Sequence, residues 1–168
     1  MSTVTTDWQL RAATMADLDA IMAIETGTFT TDAWSKASMR AEIASPHTRY
    51  VVATDPAVPD EVAGYAGLLA PRSSAQADIQ TIAVIERARR RGLGRLLMVT
   101  LIDEATTRGA GEVFLEVRAD NPGAQALYLS LGFEELAVRT NYYQPDGVDA
   151  IIMRLTIAGI RPSTAVGA

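Results

Sequence analysis

Two rhythms of apolar residues alternate along this chain, and each predicts a different kind of element. Met15, Leu18, Ile21, Met22 and Ile24, and later Leu93, Leu96, Leu97, Leu101 and Ala105, stand three or four residues apart, the period of an apolar stripe on a helix. Short, nearly continuous apolar runs read as strands: Trp8–Ala12, Tyr50–Ala53, Val62–Leu69, Ile79–Val84 and Val113–Val117, with further strands near Glu135–Arg139 and Ala150–Leu155. The punctuation agrees. Thr14, with Asp17 three residues on, resembles a capping arrangement for the first helix, which Gly27 closes. Ser35 caps a second helix from Lys36 to Ala44, stopped by Ser45-Pro46. The stretch from Asp55-Pro56 to Pro59-Asp60 is a turn that makes two strands into a hairpin, and Pro71–Gln76 is a polar loop. Asp120-Asn121-Pro122 opens a last helix that runs to Leu131 before Gly132. Helices and strands are thus mixed, which predicts an α/β (α+β) domain: a mixed, mostly antiparallel central sheet with helices on both faces.

Composition narrows the picture. A length of 168 residues suits one domain, expected over 1–158, with the small, polar stretch 159–168 a flexible tail. No apolar run approaches the ~20 residues of a membrane span, and Met1–Gln9 lacks the apolar core of a secretory signal. A cytoplasmic location is expected. The chain has no cysteine and one histidine, His47. That removes a disulfide framework and a thiolate nucleophile, and no metal is expected.

Charge is concentrated. Arg87, Arg89, Arg90, Arg91 and Arg95 lie in one nine-residue segment without an acid, although the chain carries 20 acidic against 15 basic residues. Nucleic acid wants a broad basic face, so none is expected as a partner, and no membrane either. Gly92 and Gly94 sit in the same segment, between the strand ending at Val84 and the helix opening at Leu93. A glycine turn exposes backbone N–H groups, the helix start adds its positive dipole end, and arginines add charge-assisted bonds. Together they predict a phosphate site; the plainer alternative is a solvated basic helix start. There is no Gly-Lys-Ser/Thr, which excludes a P-loop, and Gly92-Leu93-Gly94 supplies only the first two glycines of a dinucleotide fingerprint.

The spacing that remains, Arg89-x-x-Gly92-x-Gly94, resembles the pyrophosphate loop of the GCN5-related N-acetyltransferases, which holds coenzyme A. Leu115-Glu116-Val117-Arg118, Asn121, Ala126-Leu127-Tyr128, Leu131-Gly132-Phe133, Asn141-Tyr142-Tyr143 and Ala150-Ile151-Ile152-Met153 resemble the ribosomal-protein-alanine N-acetyltransferases of the RimI type within that superfamily. The resemblance is continuous from about Ile79 to Leu155. It implies the family's single-domain fold, acetyl-CoA as cosubstrate, and a protein N-terminus as acceptor, that of small-subunit ribosomal protein S18 foremost. Other protein N-termini, lysine side chains or a small amine remain alternatives, as does a non-catalytic acyl-CoA binding module.

Glu116 is the candidate general base. It is the one charge in the apolar run Val113–Val117, and a carboxylate partly withdrawn from water holds its proton more tightly, as a base for an ammonium requires. The alternative is a strand-end carboxylate in water or paired with Arg118. Tyr128 is the candidate general acid. Helix period puts it on one face with Ala124 and Leu131, and a phenol near pKa ~10 stays protonated where a thiol near ~8.5 begins to ionise; a core tyrosine is the alternative. By the resemblance, the main chain of Ile82, Ala83 and Val84 pairs with the pantetheine amides. Arg90, Arg91, Gly92, Leu93, Gly94 and Arg95, with Arg89 just before them, form the pyrophosphate loop. Asn121 touches the cofactor or caps its helix, or does both. Trp34, Asn141, Tyr142 and Tyr143, with Phe29 nearby, fall where the family builds its peptide groove; an aromatic hairpin packed on the core is the other reading. Ala33 stands where the family often has proline before Trp-Ser, and Thr140 where a second arginine often follows Arg139, which bears on peptide preference. Trp8, His47 and the methionines read as core or surface residues.

Overall fold

The computed structural model describes residues 7–157. The expected flexible tail, 159–168, lies outside them. Seven strands form one sheet: β1 (Gln9–Ala12), β2 (Thr48–Asp55), β3 (Val58–Leu69), β4 (Gln76–Val84), β5 (Glu112–Arg118), β6 (Glu134–Tyr143) and β7 (Val148–Thr156), in the order β1-β2-β3-β4-β5-β7-β6. Every neighbouring pair is antiparallel except β4 with β5. The helices are α1 (Leu18–Thr28), α2 (Lys36–Ala44), α3 (Leu93–Thr107) and α4 (Pro122–Ser130).

Alternation along β2 and β3 divides the core. Val51, Ala53, Ala66 and Leu68 face the stripe Leu93, Leu97, Met98, Leu101 and Ala105 of α3, and Tyr128 of α4 joins that side. Tyr50, Val52 and Tyr65 face Leu18, Ile21 and Ile24 of α1 and Met39 of α2. The helices therefore cover both faces, as expected. No helix among the described residues is long and apolar enough to cross a membrane.

Several boundaries differ from the sequence reading. Gly27 does not close the first helix: α1 runs to Thr28, and the Phe29 amide still donates to the Glu25 carbonyl at 2.8 Å. A single 3-10 turn, Met15–Asp17, precedes it. There Asp17 accepts from the Thr14 amide at 2.8 Å and from both terminal nitrogens of Arg11 at 2.7 and 2.8 Å. The guanidinium holds the Asp17 carboxyl below its usual range. The β2–β3 turn is tighter than expected. Only Pro56 and Ala57 lie between the strands, and Ala57 donates to the Asp55 side chain. Pro59 belongs to β3, where it is tolerated because β4 pairs with β3 only from Gly64 onward. The last hairpin is longer than predicted, since Asn141, Tyr142 and Tyr143 belong to β6.

One irregularity shapes the centre of the sheet. Gly67 pairs with Thr81 and Leu68 with Ile79, leaving Gln80 as an extra residue on β4. Such a bulge bends its strand. Gln80 is tied on the α2 side: its carbonyl accepts from the Tyr50 hydroxyl at 2.7 Å, and its amide donates to Glu42 at 2.9 Å. Tyr50 reaches it by lying across Gly67, where an added Cβ would stand 2.2 Å from the Tyr50 ring. Gly67→Ala should therefore cost about 1–3 kcal/mol of stability through overpacking. Denaturant unfolding checks this, and an unchanged midpoint would remove Tyr50 from its place across Gly67.

Candidate active site

Beyond the bulge the two central strands part. The parallel ladder of β4 and β5 holds only Gln76↔Glu112, Ala77↔Val113 and Asp78↔Phe114. From Ile79 to Val84, β4 keeps its partner β3 but has none on the other edge; from Leu115 to Arg118, β5 keeps only β7. A groove of about 1230 Å³ fills the wedge. An extended ligand carrying amide groups can add to such an exposed strand edge.

At one end of the groove lies the turn into α3. Gly92 is its N-cap with φ +79°, and Arg90 has φ +61°. The first intrahelical bond runs from the Leu96 amide to the Gly92 carbonyl at 3.1 Å, so the amides of Leu93, Gly94 and Arg95 precede the helical ladder. The five arginines divide. Arg89, Arg90 and Arg95 line the groove; Arg89 is braced on the Val84 carbonyl at 3.0 Å and Arg95 on the Ser130 hydroxyl at 3.0 Å. Arg87 pairs instead with Glu61. Arg91 stacks on Trp8, 4.9 Å from the ring centroid, and pairs with Asp55 at 3.6 Å. Leu93 is in the core, 1% exposed. Of Arg91 and Leu93, then, only the main chain is left for a phosphate.

The other end is aromatic and acidic. Glu116 lines the groove from β5 and is solvent-exposed. It stands on the stretch of β5 that has parted from β4, and its side chain there meets solvent, as the alternative of a strand-end carboxylate in water had it. Arg118 does not pair with it either; that guanidinium meets Asp120 at 3.0 Å, Asp146 at 3.1 Å and Asp32 at 3.7 Å and lies over Tyr143 at 5.0 Å. Arg118 so clasps the α1–α2 segment and the β6–β7 hairpin over the end of β5. Glu116 lies close enough to the Tyr142 hydroxyl to raise the phenol's pKa. Tyr142 comes within reach through another irregularity: β6 spends three residues between Arg139 and Tyr143 where β7 spends one. Asn141 takes φ +53° there, its amide donating to Asp149 at 2.9 Å. Tyr142 and Tyr143 stack edge-on at 5.1 Å. Asp78, across the split, has its carboxyl pushed up by partial desolvation and then by the charge of Glu116.

Tyr128 stands on α4 beside the groove, 7% exposed. Burial pushes its pKa up to about 12, with no hydrogen bond contributing to that shift. Pro122 is in the first turn of α4, and the Asn121 side chain caps it by accepting from the Ala124 amide at 3.2 Å. Asn121 also lines the groove.

The groove therefore brings together Ile82, Ala83, Val84, Arg89, Arg90, Gly92, Gly94, Arg95, Glu116, Asn121, Tyr128, Trp34, Tyr142 and Tyr143, with Phe29. Asn141 is not in its lining; it shapes the irregularity in β6 instead. The sequence reading missed Trp8. Its indole N–H donates to the Arg91 carbonyl at 3.2 Å, anchoring the arginine turn to the start of the sheet. The two residues are 83 apart in sequence, so no local pattern signals the contact.

Residues 18–133 match the model of the acetyltransferase (GNAT) family, and the chain belongs to that family. Enzymes of this family draw their acetyl group from acetyl-CoA. One relative is the N-alpha-acetyltransferase RimI of Mycobacterium tuberculosis, 40% identical over 146 residues, 85% of this chain and 89% of that protein. The [ribosomal protein bS18]-alanine N-acetyltransferase of Salmonella typhimurium is 52% identical over 85 residues, 49% of this chain, and the match spans only 57% of its length. Among solved structures, the ribosomal-protein-S18-alanine N-acetyltransferase of Escherichia coli superimposes with a TM-score of 0.79 at 35% identity, covering 90% of this chain and 94% of that one.

The turn into α3 can be tested directly. A Cβ on Gly94 would touch only Leu127, at 3.4 Å, so Gly94→Ala should fold normally. Gly94→Asp adds a negative charge at the same place and should weaken acetyl-CoA binding at least tenfold in calorimetry, with little change in melting temperature. Equal affinity in the two variants would take the turn out of the cofactor site.

Proposed function

We propose that this protein transfers an acetyl group from acetyl-CoA to the N-terminal α-amine of a protein, with the alanine N-terminus of small-subunit ribosomal protein S18 as the preferred acceptor. The observation that carries this reading is that Glu116 and Tyr128 line one groove whose far end is the arginine–glycine turn. The relatives named for alanine N-acetylation supply the acceptor.

Bound acetyl-CoA supplies an acetyl group activated as a thioester. The open edge of β4 at Ile82, Ala83 and Val84 holds its amide-bearing arm. The amides that open α3, with Arg89, Arg90 and Arg95, hold its diphosphate, and Asn121 lies alongside. Phe29, Trp34, Tyr142 and Tyr143 form the acceptor end. Glu116 removes the proton from the incoming ammonium, directly or through a water, with the Tyr142 hydroxyl beside it. As the nitrogen bonds to the acetyl carbon and the carbon–sulfur bond breaks, Tyr128 donates a proton to the departing thiolate, and its phenolate takes up the second proton that the nitrogen loses in becoming an amide. With a pKa of about 12 Tyr128 keeps its own proton well above the ~8.5 of a thiol. The chain has no cysteine, so no thiolate on the protein can carry the acetyl group, and the amine attacks in a ternary complex.

Peptides beginning with the S18 alanine sequence should be acetylated, whereas polyamines and internal lysines should not; turnover confined to polyamines would overturn the acceptor assignment. Tyr128→Phe should lower kcat about 10²-fold, and Glu116→Gln should do the same. The raised phenol fixes the sign of the pH dependence. Tyr128 stays protonated up to its folded pKa, so kcat should hold from neutral pH through pH 10. A fall centred near ~10, the value of an unperturbed phenol, would show that Tyr128 is not the desolvated acid.

A further inference from the structure

The acceptor end rests on a charged group that the chemistry above does not use. Glu25 on α1 is 1% exposed, and among the described residues no arginine, lysine or histidine pairs with it. A carboxylate out of water without a counter-ion is tolerated only when donors surround it. Three do. Its Oε1 accepts from the Tyr65 hydroxyl of β3 and from the Thr81 hydroxyl of β4, the latter at 2.9 Å. Its Oε2 accepts from the main-chain amide of Trp34 at 2.9 Å. Tyr65 and Thr81 also touch each other, at 3.2 Å.

The two oxygens thus join two parts of the molecule. One is rooted in β3 and β4, the pair that carries the open edge. The other holds the segment between α1 and α2, which brings Phe29 and Trp34 to the groove. That segment has no strand or helix of its own between Phe29 and Ser35. We infer that Glu25 is a positioning residue for acceptor binding: by tying the Trp34 main chain to Thr81 and Tyr65, it sets the width of the groove where the acceptor's first residues enter. The inference rests on the reading of that segment as the acceptor wall.

Glu25→Met preserves length and removes both acceptor oxygens. In this variant the KM for an alanine-initiated S18 peptide should rise about tenfold, more than kcat falls, with acetyl-CoA affinity within twofold of the parent. Amide hydrogen exchange over 29–35 should accelerate by a similar factor. Glu25→Gln keeps one carbonyl for the Trp34 amide, and the rotatable hydroxyls of Tyr65 and Thr81 can accept from its NH2, so it should restore slow exchange and low KM. Should the Met variant fail to fold, adding Tyr65→Phe and Thr81→Val removes the two orphaned hydroxyls; exchange over 29–35 must still be fast in that folded triple variant. Unchanged exchange and unchanged peptide KM in the Met variant overturn the inference. If the parent acetylates no peptide at all, the acceptor reading fails by itself, while the exchange comparison still decides whether Glu25 holds the segment.

Discussion

The molecule is organised around one extra residue in one strand. Gln80 has no partner on β3, and the bend it introduces ends the parallel ladder of β4 and β5 after three pairs. A continuous sheet would satisfy its own backbone groups and leave nothing to bind with. The parted strands instead present an unpaired edge in the middle of the protein, with helices packed on both faces of the sheet. Bulk water can reach that edge, so the polar groups are not orphaned before a ligand arrives. The bulge is held from one side by the Tyr50–Gln80–Glu42 chain, and that chain exists because Gly67 leaves room for a phenol ring to cross the strand.

Electrostatics then sorts the groove into two ends. The arginine-rich segment is less of a uniform positive patch than its composition suggests. Arg87 and Arg91 are drawn off by Glu61 and by Trp8 with Asp55, which leaves Arg89, Arg90 and Arg95 at the groove. The paired arginines fix the loop's course; the others supply field. At the opposite end Arg118 answers three aspartates from three different segments. It works as a fastener between loops and leaves Glu116 as the groove's accessible carboxylate on β5.

Much of this was legible in the chain. The α3 stripe, the Ser35 and Asn121 caps and the strand before Arg87 are local patterns, and local patterns survive folding when tertiary contacts agree with them. Ser35 accepts from the Ser38 amide at 3.0 Å, as a cap should. What was hidden depended on partners far away in sequence. Glu25 reads as one more polar residue on an amphipathic helix until Tyr65, Thr81 and Trp34 converge on it. Gln80 sits inside a β-rich run with nothing to mark it as a bulge, because the irregularity lies in its pairing. From its apolar neighbours Glu116 read either as a carboxylate partly withdrawn from water or as one left in water at a strand end, and the second is found. Those neighbours face the core on alternate positions.

The irregularity at the end of β6 has a second effect. β6 is the border of the sheet, and its accessible residues include Leu136 and Val138, each 47% exposed. A border strand of that kind invites another chain to continue the sheet. The three-for-one step between Arg139 and Tyr143 breaks the regular row of donors and acceptors a newcomer would have to match, and Asp149 has already claimed the Asn141 amide. The two extra residues thereby bring Tyr142 to the groove and leave the border strand a poorer template for another chain. Straightening the strand by deletion would forfeit both at once.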